Sequence, residues 1–193
     1  MLTSRQIAQK SVAAWTACLC FSLLSDTGQG QAGVVSREEA LMTLFPGAQI
    51  SSEHVFLTNE QENQINALSR GKLPTKLFAR YVATRDGRIV GRAYIDTHIV
   101  RTKRESLLIA LDTQGRVKRI NVTAFLEPPE YVASERWLNQ YKQKRLSDQL
   151  AIHRAIRPMA GATLTTQAVN AAVRRVMAID QLLEQKSLAR GTP

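Results

Sequence analysis

Cysteine is almost missing from this 193-residue chain: its two copies, Cys18 and Cys20, both fall within the first twenty residues. From residue 33 onward no disulfide, thiolate zinc site, iron–sulfur centre or cysteine nucleophile can be built. Histidine is nearly as scarce. His54, His98 and His153 are isolated, without metal-ligand spacing, and are expected at surface or strand positions rather than as ligands. No H-E-x-x-H, P-loop or G-x-S-x-G motif occurs. Glu127 and Glu130 could form an acid–base pair, but they flank Pro128-Pro129 and read as a solvated turn. With 10 glycines, 6 prolines and no internal repeat, low-complexity and solenoid architectures are excluded. Acids are outnumbered, 16 against 26 basic residues, and the resulting +10 implies attraction to phosphates, acidic lipids or acidic proteins. The few aromatics, 6%, are not interleaved with basic residues as a nucleic-acid stacking platform needs. What remains is 44% hydrophobic residues in a length suited to one domain with one sizeable core.

The first ten residues carry Arg5 and Lys10 without an acid and lead into the apolar run Val12–Leu24, which ends in Ser25-Asp-Thr-Gly28. That pattern reads as an export signal, too short for the roughly 20 apolar residues of a membrane-crossing helix. An uncleaved anchor and a buried helix are the alternatives. Small residues at Gly30 and Ala32 place the expected cleavage after Ala32, so residues 1–32 are assigned to a signal peptide and 33–193 to the folded domain. The domain keeps 24 of the 26 basic residues and 15 of the 16 acids, a charge of +9. An exported protein has no route to nucleic acid, so no nucleic-acid partner is expected.

Ser36-Arg-Glu-Glu39 is a capping box opening a short helix that ends at Pro46-Gly47, and Thr58-Asn-Glu-Gln61 opens a second that closes at Gly71 and Pro74. From Lys76 the apolar period changes to that of strands. Asp86-Gly87 and Gln114-Gly115 mark turns in an antiparallel meander of about four strands reaching Phe125. Pro128-Pro129 stops the sheet, helical spacing resumes at Glu135–Tyr141, and a last helix is expected over residues 164–188. Its stripe of Val169, Val173, Val176, Ile179, Leu182 and Leu183 should face the core, with Arg174 and Arg175 off it. The expected fold is α+β: a twisted antiparallel sheet flanked by N-terminal helices and a long C-terminal helix.

The segment with chemical character is Ala160-Gly-Ala-Thr-Leu-Thr-Thr166, small residues and hydroxyls delivered to the start of the longest helix. Free amides and the helix dipole favour an anion there, with Arg154 and Arg157 just upstream. The same spacing also suits a threonine that merely caps the helix. Gly161-Ala-Thr-Leu-Thr165 resembles the flavinylation motif of the FMN-binding domain family, found in periplasmic subunits of sodium-translocating NADH:quinone reductase and Rnf-type complexes and in nitrous-oxide-reductase regulators. Family-like stretches also include Glu39–Gly47, Asp96-Thr-His-Ile-Val-Arg-Thr102 with Glu105, Phe125–Tyr131, Arg136-Trp-Leu138 and Ala172–Val176, covering nearly all of residues 36–183.

The resemblance implies an electron-carrying flavoprotein domain, at most a subunit or partner of an oxidoreductase complex rather than an enzyme itself. A flavin transferase would esterify FMN phosphate to the hydroxyl of Thr163. Gly161, Ala162, Leu164 and Thr165 would surround the phosphate and ribityl chain, and the turn after Glu127 would lie near the ring. The family motif has an aspartate six residues before the modified threonine and a serine or threonine before the glycine, where this chain has Arg157 and Ala160. Two outcomes stay open: covalent FMN, or reversible FMN with Arg157 pairing with the phosphate. A membrane or periplasmic redox protein is the implied partner. Basic residues such as Arg101, Lys103, Arg104, Lys118, Arg119, Lys142, Lys144 and Arg145 would dock it on that partner or on an acidic membrane surface, or are simply a solvated face. The alternative is an exported, cofactor-free binding or assembly module with a basic anion-binding face.

Overall fold

Short turns join most strands to their sequence neighbours, so the sheet grows without crossovers. The computed structural model describes residues 34–190 and contains β1 (Gln49–Phe56), β2 (Leu77–Arg85), β3 (Arg88–Ile99), β4 (Arg104–Leu111) and β5 (Val117–Phe125). They form one antiparallel sheet in the order β1-β2-β3-β4-β5. Between β2 and β3, Asp86 and Gly87 both take positive φ, 52° and 71°, as a tight hairpin turn demands. The helices are α1 (Arg37–Leu44), α2 (Asn59–Ser69), the single turn α3 (Glu135–Leu138) and α4 (Thr163–Arg190). The expected signal peptide lies outside the described residues. Among the described residues no helix is long and apolar enough to cross a membrane.

The sheet is covered on both faces, which explains the uninterrupted apolar run of β4. Leu107, Ile109 and Leu111 join the core beneath α2 and α4, whereas Leu108 and Ala110 join the one beneath α1. Each fully buried Leu or Ile of this kind contributes roughly 1.5–3 kcal/mol. On the α1 side, Phe45 lies so close to β3 that a Cβ on Gly91 would sit 2.5 Å from its ring, which restricts that position to glycine. The capping signals act as read for α2, where Thr58 and Gln61 exchange both bonds. For α1 only half of the box forms: Ser36 Oγ accepts the Glu39 amide.

Two expectations change. The sheet has a fifth strand, β1, whose residues are almost all exposed because it is the outer edge. And Arg174 and Arg175 are not off the buried side of α4; both are 6% exposed. Arg174 donates to the carbonyls of Leu68, Ser69, Ser147 and Leu150, fastening α4 to the end of α2 and to the loop after α3. Arg175 forms a two-pronged bond with Asp96 of β3, Nε to Oδ2 at 3.0 Å and Nη2 to Oδ1 at 2.8 Å. Further along, Arg92 and the Tyr94 hydroxyl both donate to Asp180. These buried polar rungs fix the register of α4 across the sheet, and hence the position of its first turn.

Candidate functional site

A cleft of about 180 Å³ opens where α4 begins, lined by Val100, Arg101, Glu127, Tyr131 and the run Gly161–Thr165. Three elements meet there: the β3–β4 loop, the turn after β5, and the N-terminal turn of α4. Gly161 takes φ 74°, so the chain turns sharply into the helix, and a Cβ there would meet nothing within 4 Å. Ala162, which precedes the first helical residue, has no side-chain acceptor for the first turn. The amides of Thr163, Leu164 and Thr165 accordingly have no protein partner among the described residues. The capping alternative is therefore not what these threonines do. Thr166 is the threonine engaged, its hydroxyl donating to the Ala162 carbonyl and accepting the Met159 amide, both at 3.0 Å, which holds the loop in shape. Thr163 is exposed, Thr165 is buried, and Leu164 is 42% exposed.

Glu127 shapes the opposite wall. It is buried rather than solvated, unlike Glu130 beside it. Its Oε1 accepts the amides of Thr102 at 2.7 Å, Lys103 at 2.8 Å and Arg101 at 3.3 Å, binding the β3–β4 loop into one conformation. The Thr102 and Lys103 amides are the main reason its carboxyl stays below the usual carboxylate range. Arg101, exposed, stacks its guanidinium 5.8 Å from the centre of the Tyr131 ring, so a cation and an aromatic face line the cleft together.

Six of the seven residues singled out in the sequence, Gly161, Ala162, Thr163, Leu164, Thr165 and Glu127, are thus brought together. Arg157 is not among them. It lines a separate groove with Arg136, Trp137 and Gln140, its backbone bonded to the side chains of Trp137 and Gln140. Arg101, Val100 and Tyr131 were not singled out as site residues, although each falls inside a family-like stretch. Nothing in their local spacing sets them apart, since pairing across the sheet brings them to α4. Among the described residues no group of three or more His, Cys or carboxylate side chains could hold a metal ion.

Residues 104–178 match the family model of the FMN-binding domain. The match runs from the first residue of β4 into α4 and takes in Glu127, Tyr131 and the Gly161–Thr165 run. No curated protein and no solved structure gives a significant match to the chain.

Proposed function

We propose, from the match of residues 104–178 to the family model of the FMN-binding domain, that the protein is an exported electron-transfer flavoprotein that holds FMN by its phosphate at the first turn of α4. The observation that carries this reading is the set of unpartnered amides of Thr163, Leu164 and Thr165, opening into a cleft that also holds Arg101. A phosphate dianion there gains three backbone donors, the positive end of a 28-residue helix and a guanidinium. Arg101 takes the pairing role that the sequence suggested for Arg157. Bound FMN supplies one- and two-electron chemistry. The chain's own residues bind, orient and partly shield it.

Thr163 is the residue we propose for covalent attachment by a flavin transferase: its side chain is exposed and it supplies one of the free amides. Arg157, set in another groove, leaves the approach to Thr163 clear. A cleft of about 180 Å³ is smaller than the roughly 300–1,000 Å³ that encloses a comparable ligand, which favours a ring edge open to partners. Around its mouth, Arg101, Lys103 and Arg104 are exposed, and Ile99 and Leu126 are more than 60% exposed. We assign docking on an acidic membrane surface or redox partner to this rim. Of the other basic residues, Lys118 turns inward to the Leu44 carbonyl and Arg119 pairs with Glu135.

The test compares ligands on protein made in a host without flavin transferase. FMN should bind about tenfold or more tightly than riboflavin, which lacks the phosphate. Equal affinities would contradict the phosphate site, and binding of neither would favour a cofactor-free module.

A further inference from the structure

We propose that His98, held between Asp96 and Glu105, is a buried proton-binding site coupled to the cleft, taking up a proton from solvent when the anionic phosphate of FMN settles at the first turn of α4. The inference rests on the flavin reading above. His98 and Glu105 stand directly opposite each other on β3 and β4. The imidazole bridges two carboxylates, Nδ1 to Asp96 Oδ1 at 2.8 Å and Nε2 to Glu105 Oε2 at 3.0 Å. Its side chain is 7% exposed, and those of Asp96 and Glu105 are 0% exposed. Only an imidazolium can donate from both nitrogens. A neutral ring leaves one nitrogen lone pair facing a carboxylate oxygen.

The charges around the pair do not cancel without that proton. Asp96 is matched by Arg175, whereas Glu105 has His98 alone, and its second oxygen, Oε1, is buried with no partner. Among the described residues no other charged side chain is bonded to it. Arg175 is the facing charge from α4, Arg174 having turned to backbone carbonyls. The buried face of α2 presents Gln61, Ile65 and Ser69, none of them ionisable near neutrality. Burial lowers the His98 pKa, but Asp96 and then Glu105 outweigh it, so the ring stands above its ordinary value.

The pair lies one step from the cleft. Val100, which lines it, follows His98 by two residues, about 7 Å along an extended chain. Glu105 pairs with Phe125, two residues before Glu127. At the cleft end the charged groups are Glu127, occupied by three amides, and Arg101, with the exposed Lys103 and Arg104 following on the same loop and strand start. Negative charge added there favours the protonated form of the imidazole. By reciprocity, FMN binds less tightly as pH rises through the midpoint of His98.

Ring resonances of His98, followed by NMR against pH with and without FMN on protein made without flavin transferase, test this directly and need no substitution. The His98 midpoint should rise by about half a pH unit or more on FMN binding. FMN affinity should fall as pH rises through the His98 midpoint, a fall that His98→Gln lacks because it retains only the titration of the phosphate itself near pH 6, which strengthens binding as the dianion forms. FMN binding with an unmoved His98 midpoint, or with the same pH profile in both proteins, overturns the coupling and leaves the flavin reading standing. Failure of FMN to bind either protein overturns both.

Discussion

A single atom, Oε1 of Glu127, gathers the amides of Arg101, Thr102 and Lys103 and so sets one wall of the cleft. Removing it in Glu127→Ala leaves those amides to water. Arg101 then loses its fixed position beside Tyr131. We expect FMN affinity to fall about tenfold, as for loss of a charged hydrogen-bond acceptor, with faster hydrogen exchange at the Thr102 and Lys103 amides. Glu127→Gln keeps one neutral acceptor and should lie between. Unchanged exchange in the alanine variant would show that the loop is held by something else. The pH dependence follows from the lowered pKa: the clamp is complete above the ordinary carboxyl value near 4.5 and is lost as pH falls below it, through the lower folded-state value. Thr163 and Thr165 differ in a way that spacing could not disclose, since only the fold leaves one exposed and the other buried.

At the scale of elements, the readable features were those with a local physical cause. The Thr58 box, the Asp86-Gly87 turn and the apolar stripe of α4 each act over a few residues, and each stands where the sequence put it. β1 was missed because an edge strand exposed on both sides has no alternation: Gln49–Phe56 offers only Ile50 and Val55 to the interior. Arg174 and Arg175 were misread for the opposite reason. Their burial depends on acceptors far away in sequence, the carbonyls of residues 68, 69, 147 and 150 and the carboxylate of Asp96, which no helical wheel contains. His98 is a strand residue, as read, but its two carboxylate partners on β3 and β4 are set by cross-strand pairing and not by local spacing. Of the six-residue grouping at the cleft, the five contiguous members stood out as small residues and hydroxyls opening a helix, but their role and the inclusion of Glu127 came from the family resemblance. The contribution of Arg101 and Tyr131 was not legible, because it arises only when the loop, the turn and the helix meet.

Over the whole molecule, the +10 charge motivates the proposed docking on an anionic surface, with Arg101 lining the cleft and Lys103 and Arg104, also exposed, following it in the chain. Binding to vesicles containing anionic lipid should weaken steeply between low and physiological salt, and Lys103→Glu with Arg104→Glu should weaken it about tenfold or more. Binding that ignores both salt and these substitutions would place the docking face elsewhere. The electron-transfer reading and the His98 coupling both presuppose a cofactor held at the start of α4, so the decisive measurement is intact mass together with flavin fluorescence of the denatured protein. It is made on protein exported in a host that has a flavin transferase, with Thr163→Val beside it. We predict a fluorescent denatured band, heavier by FMN less one water, that disappears in Thr163→Val. A native protein without flavin colour and a denatured band without fluorescence or added mass would contradict the assignment of this cleft to FMN.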